Sequence, residues 1–345
     1  MSASRQGLCA TRLARRVEPE GARAWHGIGW SYLRVADGAR ASRLSALTGS
    51  DSQLDPRGVD EAWGLSPTGH RRTVVQGIER VAVPGPAAAE AVEPSVSFEH
   101  AVAAIAQSSR SPVLALGGGL DAAAVLVAWR RQLGTAPTVV TLETGIDRYD
   151  EVDAAQSICD WLEVPLARVT VNPRELVEQL GSVITCIETP LYGLHPVGRW
   201  LLARDLARRG HDVVVTGDGA DAVFRGRPDY DYIPIVAALT DAAGLGLRSP
   251  FFDDQVLGSW LHRGPDPDKA WVRDYLAQRG APRWLTSGPK VPRMLPCDAS
   301  ALPLPRHELE GLAGELGRPL SLDTTRRRVQ WSTLHMLMDV LRGRG

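Results

Sequence analysis

The chain has 345 residues, which is enough for two domains of ordinary size or for one large α/β domain with an appendage. Its 39 basic and 40 acidic side chains give a formal net charge of −1, so no overall field recruits nucleic acid or an anionic membrane surface. The four cysteines are far apart and form no C-x-x-C pair, which argues against a zinc site and a disulfide framework. We find no apolar run of the roughly 20 residues that span a bilayer, and we expect a cytoplasmic protein.

The first 95 residues differ in pattern from the rest of the chain. Two strand-like pieces, GIGWSYLRV and RTVVQGIERVAV, lie among polar stretches that contain glycine and proline. Residues 84–95, PGPAAAEAVEPS, are typical of a linker. We therefore predict a small β-containing N-terminal segment over residues 1–95 and a larger domain over residues 96–345.

A regular alternation of strand and helix patterns follows the linker. Strands are predicted at 113–116, 138–142, 166–171 and 212–216, and helices at 121–132, 150–162, 173–184 and 196–209. Strands that are separated by helices form a parallel sheet with helices on both faces. Beyond residue 230 the strand signal fades. The predicted fold is an α/β doubly wound parallel sheet with a mainly helical C-terminal part.

Glycines and aspartates follow two of these strands directly. The first strand is followed by GGGLD and the fourth by GDGAD, which supply Gly117, Gly118, Gly119, Asp121, Gly217, Asp218 and Asp221. In an open parallel sheet such turns line one crevice, where glycine backbones and a helix N-terminus can approach phosphate. Two facing aspartates repel each other unless they share a hard cation such as Mg²⁺. The turns therefore predict a nucleotide with its metal.

The first turn alone leaves a second interpretation open. Gly117, Gly119 and Ala122 match G-x-G-x-x-A, and Glu143 ends the second strand, as in dinucleotide-binding folds. A nicotinamide or flavin enzyme is therefore an alternative. The D-G-A-D turn after the fourth strand favours the metal-bound nucleotide, because a dinucleotide-binding site does not require such a turn at the end of its fourth strand.

Longer segments resemble the synthetase half of asparagine synthetases. That family's segment ending in S-G-E-G-[AS]-D-E is similar to the run VITCIETPLYGLHPVGRWLLARDLARRGHDVVVTGDGADAVFRGRPDYDY. The turn after the first strand resembles the family's S-G-G-x-D-S loop. Three further segments of the family are matched in the same order, by YDEVDAAQSICDWLEV, LRSPFFDDQVL and DKAWVRDYLAQRGAPRWLTSGPKVP. The resemblance covers about residues 97 to 300. It implies an adenine nucleotide alpha hydrolase-like fold.

The resemblance also implies an activity and a set of residue roles. A carboxylate attacks the α-phosphorus of Mg²⁺-bound ATP, pyrophosphate leaves, and an amine or ammonia captures the acyl-adenylate as an amide. By position, Gly118 and Gly119 hold phosphate, Asp121 and Asp221 hold Mg²⁺, and Lys290 stabilises charge as the adenylate forms. The positions that bracket the adenosine are Leu116, Leu142, Thr216 and Gly217, and Gly117 belongs to the same cofactor-binding loop. Asp218, in place of the family's glutamate, is the candidate catalytic carboxylate.

Some positions depart from the family pattern. Gly117 and Ala122 replace two serines of the phosphate loop, and Arg225 and Arg227 stand where the family ends its motif with G-G-Y. Met1 and Ser2 stand where the family has an N-terminal cysteine nucleophile, so we expect no glutamine hydrolysis by this chain. By the resemblance, residues 1–95 are expected to be the remnant of a glutaminase-like domain. Nitrogen is then expected from ammonia, from a separate glutaminase or pathway partner, or from an amine on the substrate, as in β-lactam synthetases.

Three functions compete at this stage, ahead of the nicotinamide enzyme, which ranks last. The first is an amide ligase for a small-molecule or peptide carboxylate in specialised natural-product assembly. The second is a nucleotide-binding or partner scaffold that has lost turnover, which the missing serines and Ala222, in place of the family's glutamate, favour. The third is a tRNA-modifying enzyme with a phosphate loop, which the near-neutral charge argues against. We expect no nucleic-acid or membrane partner, and homodimer formation stays open.

Overall fold

In the computed structural model, which describes residues 31–64, 72–81, 92–147, 149–225, 232–261, 263, 265–288 and 301–343, the strands form two sheets. In chain order the strands are β1 (Tyr32–Arg34), β2 (Arg40–Ala41), β3 (Ile78–Arg80), β4 (Pro112–Ala115), β5 (Thr138–Glu143), β6 (Leu166–Thr170), β7 (Val213–Val215) and β8 (Gly246–Arg248). A small antiparallel sheet has the order β2-β1-β3, and a five-stranded parallel sheet has the order β6-β5-β4-β7-β8.

Helices connect the strands and make up most of the C-terminal part. In chain order the described α-helices are α1 (Pro56–Ala62), α2 (Pro94–Gln107), α3 (Leu120–Leu133), α4 (Val152–Trp161), α5 (Pro173–Glu178), α6 (Leu180–Ile187), α7 (His195–Arg208), α8 (Ala220–Arg225), α9 (Tyr232–Ala242), α10 (Asp254–Leu261), α11 (Ala270–Ala277), α12 (Arg283–Ser287), α13 (Arg306–Glu315) and α14 (Thr325–Leu341). Within these described segments, each helix is too short or too polar to cross a membrane.

The parallel sheet is doubly wound, as predicted. From β4 the chain adds β5 and β6 on one side, then returns to add β7 and β8 on the other side of β4. Since crossovers between parallel strands are right-handed, this reversal places helices on both faces. It also makes β4 and β7 neighbours, paired from Pro112↔Val213 to Leu114↔Val215. Their carboxyl ends form the switch point at which ligands bind in such sheets.

Burial of the two central strands confirms that both faces are covered. Val113 and Leu114 of β4 are both 0% exposed, although consecutive residues of a strand point to opposite faces. All three valines of β7 are buried as well. Continuous apolar runs of this kind are typical of parallel strands that are packed on both sides.

The structure differs from the sequence prediction in two elements. Beyond residue 230, where the strand signal fades, the structure adds one strand: β8 pairs in parallel with β7 from Val213↔Gly246 to Val215↔Arg248. Three residues between a glycine turn and a proline carry too short a pattern to be recognised. The helix predicted over 173–184 is two helices, α5 and α6, which are separated at Gln179.

Contacts divide the chain into two compact units. The described residues of the first unit lie within Pro84–Val171 and Trp200–Met294, and include the whole parallel sheet. Those of the second unit lie within Gly29–Val83, Asn172–Arg199 and Leu295–Gly345. In the second unit Trp63 packs edge-on against Trp331 with ring centroids 5.1 Å apart. The predicted domain boundary near residue 95 stays a prediction.

Candidate active site

The turns after β4 and β7 lie side by side at the switch point. Leu116 continues β4 by donating its N–H to the Val140 carbonyl at 2.8 Å, and Thr216 continues β7 by donating to the Arg248 carbonyl at 2.9 Å. Both side chains are buried, at 1% and 2% exposure. The predicted adenosine-bracketing positions Leu116 and Thr216 are therefore part of the sheet's end, whereas Leu142 on β5 is half-buried.

Gly217 lies directly against the first turn of α3. A Cβ added at Gly217 would lie 2.7 Å from the Ala122 nitrogen and 2.8 Å from the Asp121 Cβ. Real Cβ atoms do not approach backbone this closely, so a side chain here forces the two turns apart. Glycine is thus required at this position by the contact between the turns, which brings the Asp121 backbone beside the loop that follows β7.

The glycines of the first turn have different surroundings. A Cβ at Gly118 would lie 2.6 Å from the Ala154 Cβ of α4, whereas nothing lies within 4 Å of a Cβ at Gly119. Gly118 is therefore needed for helix packing, a role that the sequence does not predict, and open space adjoins Gly119. Gly119 is the N-cap residue of the 14-residue α3, and Gly117 is half-buried. Since helix N-terminal N–H groups attract anions, the open space beside Gly119 suits phosphate.

Asp121 and Asp221 converge on one cation, the ammonium of Lys269. Lys269 Nζ lies 2.6 Å from Asp121 Oδ2 and 2.7 Å from Asp221 Oδ1. Burial opposes the charge of this ammonium, but the two carboxylates outweigh burial and raise the pKa of Lys269 above its ordinary value. The side chain therefore remains protonated. The two aspartates are predicted from the sequence to lie at one crevice, whereas the sequence predicts no role for Lys269.

A capped turn holds Lys269 in place before α11. The Asp266 carboxylate accepts hydrogen bonds from the Ala270 and Trp271 N–H groups at 2.9 and 3.1 Å. Lys269 itself has a φ of 54°, in the left-handed region that side chains rarely adopt. Such a residue costs on the order of 1 kcal/mol and persists where the surroundings impose it, typically at functional sites. The signal for Lys269 in the sequence is the D-P-D-K stretch itself.

Asp218 lies in a turn that is contacted by the segment after β8. The Asp218 N–H donates to the Thr216 hydroxyl at 3.2 Å, and the Ser249 hydroxyl donates to the Asp218 carbonyl at 2.7 Å. The next residue, Gly219, has a φ of 94°, and a Cβ there would lie 2.7 Å from the Phe252 ring. The segment R-S-P-F-F thus shapes the turn that presents Asp218, a role the sequence did not reveal.

Residues 96–239 match the family model described as asparagine synthase. This region is an asparagine synthase domain. Among curated proteins, the chain is 28% identical over 241 residues to the carboxyethyl-arginine beta-lactam-synthase of Streptomyces clavuligerus, covering 64% of this chain and 45% of that protein. It is 26% identical over 131 residues to the amidase chyE of Penicillium rubens, covering 35% of this chain and 20% of that protein. The chain therefore spans less than half the length of these curated relatives.

Two solved structures are similar to parts of the fold. The NH3-dependent NAD synthetase from Campylobacter jejuni aligns with a TM-score of 0.37 and 16% identity, covering 57% of this chain and 77% of that chain. The NMN synthetase from Francisella tularensis aligns with a TM-score of 0.39 and 13% identity, covering 70% and 93%.

The asparagine synthase domain contains all the predicted site residues except Lys290. Lys290 and Arg227 lie outside the described residues, as does the side chain of Arg225. Lys269 lies beyond the matched region, and its contact with Asp121 and Asp221 extends the site past residue 239.

The carboxylate pair suits a hard divalent cation. In the described part of the chain, no group of three or more His, Cys, Asp and Glu side chains could hold a metal ion. Two carboxylates that already converge on a cation do fit Mg²⁺, which takes one or two carboxylates and completes its shell with water and substrate phosphate oxygens. Asp121 and Asp221 would be the protein ligands, and the Lys269 ammonium occupies their shared position in this structure.

The acidic residue that ends β5 is engaged in the sheet. Glu143 accepts hydrogen bonds from Arg168 at 3.0 Å and from the Thr170 hydroxyl at 3.2 Å, both on β6. In a dinucleotide-binding enzyme the corresponding carboxylate binds the ribose. The ion pair with Arg168 gives Glu143 a structural explanation that needs no dinucleotide.

Proposed function

We propose that this protein is an ATP-dependent amide-bond-forming ligase that activates a carboxylate as an acyl-adenylate. The observation that carries the proposal is the convergence of Asp121 and Asp221 on one cation position, beside the open turn at Gly119. The asparagine synthase domain and the beta-lactam-synthase relative support an ATP-dependent ligase.

In this proposal the ends of β4 and β7 bind the nucleotide. The adenosine lies among Leu116, Leu142, Thr216 and Gly217, and the phosphates lie at the turn of Gly117, Gly118 and Gly119. N–H groups at the start of α3 then face the phosphate oxygens, where the helix dipole favours negative charge. These donors are fixed by the sheet and by the Gly217 contact, so they need no rearrangement when charge develops.

Asp121 and Asp221 are the proposed Mg²⁺ ligands. When bound, Mg²⁺ supplies positive charge to the pyrophosphate that departs. The protein holds the two carboxylates at one position. Gly217 contributes by its close contact with Asp121, and in this structure the Lys269 ammonium bridges the two carboxylates. Lys269 must leave that position when the metal and nucleotide bind.

The chemical steps follow from the substrates. A carboxylate oxygen forms a bond to the α-phosphorus while the bond from that phosphorus to the pyrophosphate oxygen breaks. An amine or ammonia nitrogen then forms a bond to the acyl carbon, AMP leaves, and the nitrogen loses a proton. We assign the Asp218 carboxylate as the acceptor of that proton and Lys290 as a cation that stabilises charge as the adenylate forms.

The relatives suggest a substrate class. The name of the Streptomyces clavuligerus protein describes ring closure to a beta-lactam, in which acid and amine belong to one molecule. We propose a small-molecule or peptide carboxylate in natural-product assembly, with nitrogen from an internal amine, from free ammonia, or from a separate glutaminase or pathway partner.

A second candidate function is a nucleotide-binding scaffold without turnover. Gly117 and Ala122 provide no hydroxyl to the phosphates, and Ala122 is partly buried against the apolar core. Each lost hydrogen bond to a charged group weakens binding by about 1.5–3 kcal/mol. Backbone donors remain, so this candidate predicts ATP binding without exchange chemistry.

Exchange of labelled pyrophosphate into ATP tests the proposal. A ligase catalyses exchange that depends on a carboxylic acid and on Mg²⁺, and Asp121→Asn abolishes it. Asp160→Asn, which changes an exposed aspartate at the end of α4, is the matched control and keeps full exchange. Calorimetric binding of Mg²⁺-bound ATP without exchange, over a panel of small and peptide acids, would favour the scaffold. Absence of both would refute the two candidates together.

A further inference from the structure

Lysine is scarce in this chain. Only two of its 39 basic side chains are lysines, at positions 269 and 290, and all the others are arginines. Lysine and arginine differ physically, because the ammonium is a compact point charge whereas the guanidinium is a planar fork that spreads its charge. Where arginine supplies almost every positive charge, a lysine at the centre of the candidate site points to a need for a compact cation.

The Lys269 ammonium occupies the place of a metal ion. Its distances of 2.6 and 2.7 Å to Asp121 and Asp221 put one positive charge between two carboxylates. Mg²⁺ binds carboxylate oxygens at about 2.0–2.1 Å, so an ion held by the same two oxygens would overlap or strongly repel the ammonium. Lysine and metal therefore exclude each other at this pair.

The position of Lys269 is built into the local backbone. The ammonium is attached to a left-handed residue that ends a turn capped by Asp266, and its side chain is only 12% exposed. The turn is also tied to α8, because the Asp266 N–H donates to the Phe224 carbonyl at 2.6 Å. The side chain of an exposed lysine on a free loop would sample many conformations, whereas the Lys269 side chain is directed at the carboxylate pair.

We propose that Lys269 is a built-in competitor of the divalent cation. Without nucleotide it neutralises Asp121 and Asp221 and keeps free divalent metal off the pair. Metal binds there when nucleotide phosphates add further oxygen ligands, and Lys269 is then displaced. This inference rests on the proposed function, since it assigns the order in which metal and nucleotide enter the same site.

Manganese binding without nucleotide tests the proposal. Mn²⁺ is titrated into the full chain and followed by calorimetry and by the electron paramagnetic resonance signal of the free ion. We expect Lys269→Met to bind one Mn²⁺ at least about tenfold more tightly than the wild type, a change of about 1.4 kcal/mol. The double variant Asp121→Asn with Lys269→Met should lose this gain, because one ligand of the pair is gone.

Two variants separate this effect from a general change in charge. Arg263→Met removes the same unit of charge from an exposed pair with Glu93, and it should leave Mn²⁺ binding as in the wild type. Lys269→Arg should bind Mn²⁺ more tightly than the wild type, since a guanidinium does not fit between the carboxylates as an ammonium does. Equal Mn²⁺ affinity in the wild type and Lys269→Met overturns the proposal.

A measurement on the wild type keeps the proposal testable if Lys269→Met does not fold. Lysines are acetylated with a water-soluble ester, and Lys269 and Lys290 are followed separately by peptide mass spectrometry. A large excess of Mn²⁺ should raise the acetylation of Lys269 severalfold by displacing it from the pair. Unchanged labelling would contradict the proposal. No nucleotide or acid is present in either experiment, so failure here is distinct from absence of pyrophosphate exchange.

Discussion

Gly217 and Asp121 approach so closely that a methyl group on Gly217 would lie 2.8 Å from the Asp121 Cβ. The two residues lie 96 positions apart, on the turn after β7 and on the first turn of α3. Their contact sets the separation between the two turns at the switch point. The Asp121 carboxylate can take its position only because Gly217, on the neighbouring turn, has no side chain.

Gly217→Ala should destabilise the protein and disturb the site. Forcing a methyl group into this contact should lower the free energy of unfolding by about 1–3 kcal/mol, as overpacking usually does. Gly119→Ala is the control, because open space surrounds it and alanine is only a poorer N-cap, which costs at most about 1 kcal/mol. Urea unfolding of both variants measures the difference. Equal losses would mean that the turns are free to separate.

Asp266→Ala should loosen the turn that holds Lys269. Loss of the carboxylate leaves the Ala270 and Trp271 N–H groups without their acceptor and should lower the free energy of unfolding by about 0.5–2 kcal/mol. Asp268→Ala, which alters an exposed carboxylate two residues away, should change it by less than about 0.5 kcal/mol. Thermal unfolding followed by circular dichroism compares the two variants. A larger effect at Asp268 would be inconsistent with the capping role.

Glu188→Ala should destabilise the second unit strongly. The buried Glu188 carboxylate accepts hydrogen bonds from the Arg43 guanidinium at 2.5 and 2.9 Å and from the Leu44 N–H at 2.5 Å. Removing one partner of a buried ion pair typically costs about 3–5 kcal/mol. Because Arg43 is partly exposed, we expect the lower end of that range.

Glu310→Ala provides the comparison for Glu188→Ala. It breaks an exposed pair with Arg306 in the same unit and should cost less than about 1 kcal/mol. Chemical unfolding of both variants, followed by tryptophan fluorescence, measures the two losses. Similar small values would show that the Glu188 contacts contribute no more than a surface pair.

His195 should make stability depend on pH. Burial, with a contribution from Arg199, lowers the pKa of His195 below its ordinary value of about 6.5. The unfolded chain therefore binds this proton more readily than the folded protein. Stability should fall as the pH drops from 6.5 towards the folded pKa. His195→Asn should reduce this loss in urea unfolding at pH 7.5 and 5.5, whereas the exposed His307→Asn should leave it unchanged.

The parallel sheet could be predicted from the sequence because its signals are local. Valine-rich runs with helical patterns between them can be recognised without information on distant contacts. Four of the five strands of this sheet lie within a residue or two of their predicted limits. The glycine and aspartate turns could be placed at one crevice because all parallel strands end at the same edge. β8 escaped prediction because three residues carry too little pattern.

Side-chain partners far apart in the chain could not be predicted. Lys269 reaches Asp121 across 148 positions, and Glu188 reaches Arg43 across 145. The sequence contains these residues but not their pairing, because the folding of intervening segments decides which charges meet. For the same reason the sequence predicts only a phosphate contact for Gly118, although the nearest obstacle to a side chain there is Ala154.

The sequence by itself determined four of the five parallel strands and the presence of two glycine–aspartate turns at the sheet's carboxyl edge. Only the tertiary structure decided that Asp121 and Asp221 share a lysine ammonium, and that Gly217 must lack a side chain for them to do so. Local patterns specify backbone elements through hydrophobic periodicity and turn chemistry. Distances of a few ångströms between charges arise only when those elements pack.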